Sequence, residues 1–499
     1  MLFNSYIFIF LFFPLCLLGF YLLKKVNAVS AKIWLIGFSL WFYGYFNIRY
    51  LCIMIFSILV NFGIYQLMLR ADSLREEKAD DSALHNSTAE KNEKKWILFA
   101  GVSVNLLLLF YFKYFDFFVE NINAVFKTSF ALQNILLPLG ISFFTFQQIS
   151  FLADAYRGEL KQCGFVDYAL FVSFFPQLIA GPIVTHDEML PQFREIGKKR
   201  FDEDGFCRGL FIFVLGMGKK VLIADTFGIA VDSGYAAVAE LGSIDAILVM
   251  LFYTLQLYFD FSGYCDMAIG IGKMLGITIP VNFNSPYKAC NIIDFWKRWH
   301  ITLSRFFTKN IYIPLGGNRR GNARMYANLF FVFLLSGIWH GAGWNFILWG
   351  VMHGVLYCIT RWMQKRKMEN GNVFFTFLFV NIAWVFFRSE SIGQACLLLK
   401  RMVTGGISVP MEAIAAAFNL DEFWYVMKVL HLTDFSFSKY ILMVVFTLVI
   451  LLMVFFGKNV QELAHKWKLS AVSAVMIGVV FVWCVVSLSG VSTFLYFNF

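Results

Sequence analysis

Apolar runs of about twenty residues, enough for a helix to span bilayer hydrocarbon, recur along the whole chain between short polar or basic loops. The short alternating segments of a transmembrane barrel are missing from the pattern. Spans are predicted at about 5–23, 32–46, 51–69, 96–118, 206–226, 244–262, 326–340, 342–361, 373–388, 439–456 and 470–490. The expected fold class is an all-α polytopic membrane protein, a single domain over 1–499. Two more apolar stretches are interrupted: 137–159 by Pro138, Gly140, Gln147 and Gln148, and 171–193 by Pro176, Gly181 and Pro182. Breakers and amides at membrane depth are tolerated where the backbone is enclosed by protein or lines a cavity. Both stretches are therefore expected to be broken or re-entrant.

Three segments break the spanning pattern. Residues 70–95 form the only long hydrophilic stretch, mixed in charge, and are expected to be a solvated cytoplasmic linker. Residues 281–325 begin VNFNSPYKA, continue through a short amphipathic helix and end in a Gly- and Arg-rich loop. In DFWKRWHITLS, helical spacing puts Trp296, Trp299 and His300 on one side and pairs Asp294 with Arg298. A re-entrant or interfacial helix is expected there. Residues 404–437 are mixed and predict an extramembrane insertion.

Composition agrees with the pattern: 59% of residues are hydrophobic and 15% charged, against about 45–50% and about 25% in soluble domains. The net charge of +10 sits in loops between spans, which positive-inside topology explains and nucleic-acid binding does not. Lys24 and Lys25 follow the first span and predict an N-terminus outside the cell membrane. The N-terminus has no basic region before its apolar run and no small-residue cleavage site, so that run is expected to remain as a span. The nine cysteines form no CxxC pair, which predicts neither a disulfide framework nor a sulfur-based zinc site.

Candidate chemistry gathers in one stretch, Asn291 to Gly354, which holds His300, His340 and His353. An ionisable side chain in an apolar run is costly and points to function, although a packed, satisfied histidine is the rival reading. His340 lies in SGIWHGAGWNF. Flanking glycines leave room for a ligand, Trp339 and Trp344 could wall a pocket, and Asn345 could donate to a developing oxyanion. Imidazole suits general-base catalysis near neutral pH. A shared metal is not expected, because on one continuous helix His340 and His353 would lie about 20 Å apart and differ in direction by about 140°. Asp260 interrupts another apolar helix, as a tunnel-lining group or as half of an ion pair. Arg305, Lys309, Arg319 and Arg320 could hold donor phosphates, although topology alone would also place them in a loop. A proton-coupled transporter is the alternative from another class, but no internal repeat supports it.

FFPQLIAGPI, FDFSGYCDMAIGIGKMLGI, NFNSPY, DFWKRWHITLS, YIPLGGNRRG and SGIWHGAGWNFILWGVMHG together resemble the membrane-bound O-acyltransferase (MBOAT) family. The likeness is strongest to its bacterial alginate O-acetylation branch and weaker to the D-alanyl transfer proteins of teichoic acid synthesis. The resemblance implies about eleven transmembrane or re-entrant helices around a central tunnel. It implies catalytic roles for His340, in the WHG motif, and His300, in RWH. Trp296, Trp299, Trp339, Asn345, Asp260 and His353 follow as weaker substrate-binding or tunnel-lining candidates. It further implies O-acetylation of an extracellular polysaccharide or cell-wall glycan, from an acetyl-CoA or acyl carrier protein thioester used as substrate, with no bound cofactor. The expected partners are an SGNH-type acetyltransferase outside the membrane and membrane lipid. The expected location is the bacterial cell membrane.

Overall fold

The computed structural model describes residues 1–81, 87–160, 162–368, 371–419, 424–432, 435, 437–490 and 494–495, and the side chains of 74–92, 424–426 and 489–490 lie outside the description. Every regular element among the described residues is helical. The chain divides into two compact units. Met1, Ile7–Phe206 and Ile271–Pro280 form the first; Leu2–Tyr6, Cys207–Gly270 and Val281–Phe499 form the second.

In the first unit, α1 (Phe13–Val26) and α2 (Ala28–Gly44) form a pair, followed by α3 (Ile48–Asp81), α4 (Ser87–Leu109) and α5 (Phe115–Phe126). On either side of residues 82–86, which lie outside the description, the hydrophilic stretch continues α3 and α4 as helix, since its Ala, Glu, Lys and Arg are good helix formers. Lys94 pairs with Asp72 at 2.6 Å. The first interrupted stretch forms one unbroken helix, α6 (Ile141–Arg157). Its breakers Pro138 and Gly140 fall just before it. Gly140 is left-handed, φ 71°, and a Cβ there would lie 2.7 Å from the Leu178 carbonyl. The buried amides are structural: Gln147 donates to the Phe171 carbonyl (2.6 Å), and Gln148 donates to Ser57 (3.1 Å). The second stretch does break, into α7 (Phe165–Ser173), α8 (Phe175–Leu178) and α9 (His186–Arg194). His186 starts α9 and is buried, with Nδ1 2.9 Å from Asp154.

The second unit takes up α10 (Glu203–Gly218) after its first turn, a π-helical turn Lys219–Ala224, α11 (Asp225–Ala236) and most of α12 (Ser243–Met274). Then come the short α13 (Ile292–Arg298) and α14 (Ile301–Phe307), α15 (Asn322–His340), α16 (Trp344–Lys365), α17 (Val373–Arg388) and α18 (Ile392–Thr404). In the 404–437 segment, α19 (Glu412–Ala416) packs on α11 and α20 (Trp424–Val429) follows; residues 420–423 there are outside the description. The chain continues through α21 (Ser438–Phe456), α22 (Val460–Lys466) and α23 (Ala471–Val486).

Among the described residues, six helical stretches are long and apolar enough to cross a membrane: Phe8–Val26, Ile48–Ser73, Glu93–Phe126, Ser243–Met274, Trp344–Lys365 and Ser438–Phe456. Ala28–Gly44, Val373–Arg388 and Ala471–Val486 are shorter apolar helices. The α12 span is mostly buried inside the protein, whereas α21 presents Val445, Leu448 and Leu452 outward. Enclosure by protein rather than lipid lowers the cost of Asp260 and Asp266 inside the apolar run of α12.

Candidate active site

Asn291 caps α13 by accepting from the Asp294 amide (2.8 Å), and Arg298 reaches back to Asp294 at 2.8 Å, as the spacing predicts. The helix then stops. Trp299 is extended (φ −100°, ψ 129°) and His300 is left-handed (φ 46°, ψ 51°) before α14 resumes at Ile301. A non-glycine residue in that conformation costs about 1–2 kcal/mol. The break corrects the expectation of one shared face, because an extended residue resets the helical phase. Trp296 turns to His353, Trp299 stacks on Phe295 (5.7 Å), and His300 faces Phe261, Trp339 and His340.

Asn282 fixes His300. Its Oδ1 accepts from the Thr302 amide (3.1 Å) and hydroxyl (2.9 Å) and lies 3.3 Å from His300 Nδ1. A carbonyl oxygen can only accept, so Nδ1 carries the proton and Nε2 of the neutral ring keeps a lone pair. That Nε2 is buried and makes no hydrogen bond. A ring held this way can receive a proton; while neutral it cannot donate to a thioester carbonyl.

His340 is the last residue of α15. Its buried ring lies 6.4 Å from that of His300, centroid to centroid, and 4.9 Å, 5.1 Å and 5.1 Å from those of Trp339, Trp349 and Phe387. The chain reverses through Gly341–Gly343, and α16 packs back along α15. A Cβ on Gly337 would sit 2.4 Å from the Phe346 carbonyl, and one on Gly350 2.6 Å from the Phe333 carbonyl, so the helices meet backbone to backbone. The reversal brings His353 back toward His340 with Trp349 between them, 5.1 Å from one ring and 4.7 Å from the other.

Two expected site residues have other work. Asn345 gives its amide hydrogens to the Ser389 (2.7 Å) and Phe386 (3.3 Å) carbonyls, so it is not an oxyanion donor. Asp260 forms the ion pair: one oxygen pairs with Lys220 at 2.7 Å and the other accepts the Leu495 amide at 3.0 Å. Lys220 also holds Asp225 at 2.7 Å, and Lys219 holds Asp266 at 2.7 Å.

A cavity of about 740 Å³ opens among α13, α14, the following π-helical turn (Thr308–Tyr312), α15 and α16. Lys297, Arg305, Lys309 and Arg361 line it with no carboxylate among its lining residues, and Gln364 adds an amide. Trp296, Phe333 and Ser336 line it too; Ser336 is one turn before His340 on α15. Arg305 and Lys309, which the sequence suggested as donor-binding cations, both line this cavity. Arg319 and Arg320 are exposed and take no part in the wall. The sequence pattern alone does not mark Lys297, Arg361 and Asn282 as site residues. The two cations look like ordinary flanking charges until α13 and α16 are packed together; Asn282 had one signal, a polar residue in the NFNSPY motif.

The sequence profile of MBOAT, the membrane-bound O-acyltransferase family, matches residues 111–392. This chain belongs to that family. It is 39% identical to a peptidoglycan O-acetyltransferase of Helicobacter pylori over 100% of this chain and 98% of the relative. It is 38% identical to a probable alginate O-acetylase of Pseudomonas aeruginosa over 81% of this chain and 75% of that one. A teichoic acid D-alanyltransferase of Bacillus subtilis is 29% identical over 51% of this chain and 67% of its own length. The protein is a membrane O-acyltransferase, and the MBOAT match includes His300, His340, His353 and the cationic cavity.

Proposed function

We propose that this O-acyltransferase moves an acetyl group from a cytoplasmic thioester donor across the bacterial cell membrane for O-acetylation of a cell-wall glycan. The observation that carries this is the cavity lined by Lys297, Arg305, Lys309 and Arg361, one turn of α15 away from the buried His300–His340 pair. Four cations suit the phosphates of acetyl-CoA or of a carrier protein's phosphopantetheine arm, and the apolar wall suits the rest of the arm. His340 acts as general base. As it takes the proton of an acceptor hydroxyl, the oxygen attacks the acyl carbon, the new C–O bond forms, the C–S bond breaks and the thiolate leaves. His300, with its free Nε2 lone pair, assists that proton transfer.

End-to-end similarity to a peptidoglycan O-acetyltransferase favours peptidoglycan as the final glycan, reached through an SGNH-type acetyltransferase outside the membrane. In this reading the N-terminus is outside and the cationic cavity opens to the cytoplasm. The test is the acetate content of purified glycan from cells carrying wild-type or H340A protein, with insertion checked by immunoblot of membranes. Loss of glycan acetate in H340A supports the proposal; unchanged acetate overturns it. Acetate lost from another glycan while peptidoglycan is unaffected would overturn the choice of acceptor.

A further inference from the structure

His353 is fully buried, inside a box of aromatic rings: Trp349 at 4.7 Å, Trp296 and Phe379 at 5.3 Å, Phe295 at 6.4 Å and Phe333 at 6.5 Å. Its one hydrogen bond runs from the Trp296 indole N–H to Nδ1, 3.2 Å long. Indole nitrogen can only donate, so Nδ1 accepts and the ring is the neutral tautomer with its proton on Nε2. That Nε2–H has no hydrogen-bond partner. A buried donor left without a partner is costly, and a second aromatic residue would fill the box without that cost. What a histidine supplies here is an acceptor for Trp296.

Trp296 is where that acceptor matters. Its indole lines the cationic cavity, while its edge meets Trp349 at 5.9 Å, and Trp349 in turn touches the His340 ring. Neither His340 nor His300 lines the cavity. Cavity, Trp296, Trp349 and His340 therefore follow one another in that order, and Ser336, four residues before His340 on α15, also lines the cavity.

We propose that His353 is a positioning residue for acyl selection: it locks Trp296 across the inner end of the donor cavity, leaving passage toward His340 for a short acyl group and excluding longer ones. This rests on the cavity being the donor site. An indole fixed by a hydrogen bond and by Phe333 (5.3 Å, edge to face) is a rigid wall. Without the bond, the ring can rotate and the end of the cavity widens. Steric exclusion by a rigid wall discriminates against added methylenes more strongly than a loose pocket does.

The experiment uses full-length protein in detergent or nanodiscs, with acetyl-, propionyl- and butyryl-CoA in competition and thiol release coupled to O-acylation as the readout. H353F keeps an aromatic ring and removes the acceptor. H353Q keeps an amide oxygen able to accept the indole N–H. The butyryl-to-acetyl ratio should rise about tenfold or more in H353F and remain within about threefold of wild type in H353Q. Wild-type selectivity in folded H353F, or an equal loss in both variants, overturns the role of His353. Should either variant fail to fold, W296F, which removes the donor instead, must raise the ratio; an unchanged ratio overturns the proposal. R305A and R361A separately test the donor site. If they leave the KM for acetyl-CoA unchanged, the underlying reading fails. If they raise it while the acyl ratio stays fixed in H353F, only the inference fails.

Discussion

His300 and His340 face each other at 6.4 Å between ring centroids, one from a left-handed break between two short helices and the other from the end of α15. Each owes its position to a place where a helix stops. H340A and H300A should each reduce acyl transfer by about 10²–10⁴-fold, the range of a lost acid–base group, while membrane insertion and elution on size exclusion remain those of wild type. Single-turnover acetyl transfer measures this.

The Asn282 contact gives a more discriminating prediction. N282A removes the acceptor that keeps the proton on His300 Nδ1, so the ring is free to present the wrong nitrogen. We expect a fall in kcat by about 10–100-fold, between wild type and H300A, with the KM for donor little changed. Steady-state kinetics at saturating acceptor would show it, and N282A activity equal to wild type would contradict the tautomer assignment.

Cations that line the cavity should behave differently from those beside it. R305A and R361A are expected to raise the KM for acetyl-CoA by about tenfold each, about 1.4 kcal/mol, with weaker dependence on added salt. R319A and R320A, exposed and outside the wall, should stay within about twofold of wild type. Equal effects from both pairs would mean that the loop acts as a diffuse charge.

Asn345 is expected to matter for stability rather than chemistry. N345A leaves two buried carbonyls, those of Phe386 and Ser389, without their donor and should cost about 1–3 kcal/mol. Thermal unfolding of purified protein should move to lower temperature, while kcat per folded molecule is kept.

The buried charge cluster gives the largest stability effect. K220M leaves the buried Asp260 and the half-buried Asp225 without their shared cation. A loss of about 3–5 kcal/mol is expected, visible as reduced yield and early thermal aggregation. K219M, whose partner Asp266 is also held by Gln461 at 2.9 Å, should cost less.

Most of the spanning helices, their approximate limits and the three clustered histidines follow from local pattern alone. An apolar run long enough to cross a bilayer has few alternatives to a helix in lipid, and the Asp294–Arg298 pair follows from helical spacing. Pro138 and Gly140 do not reveal their role by pattern, because a breaker inside an apolar run and one just before a helix look alike in a sequence. The DFWKRWHITLS segment reads as one amphipathic helix until Trp299 takes an extended conformation, and no residue there announces the break.

The sequence by itself determined that this protein is helical, lives in the membrane and places ionisable groups where lipid would penalise them, since hydropathy and length act through local chain physics. Only the tertiary structure decided what each of those groups does. Packing handed Asn345 to two carbonyls, Asp260 to a buried lysine and His353 to an indole, and it left His300 with a bare nitrogen opposite His340. Those assignments depend on which partner a distant helix brings within 3 Å or so, and spacing along a single chain does not carry that information.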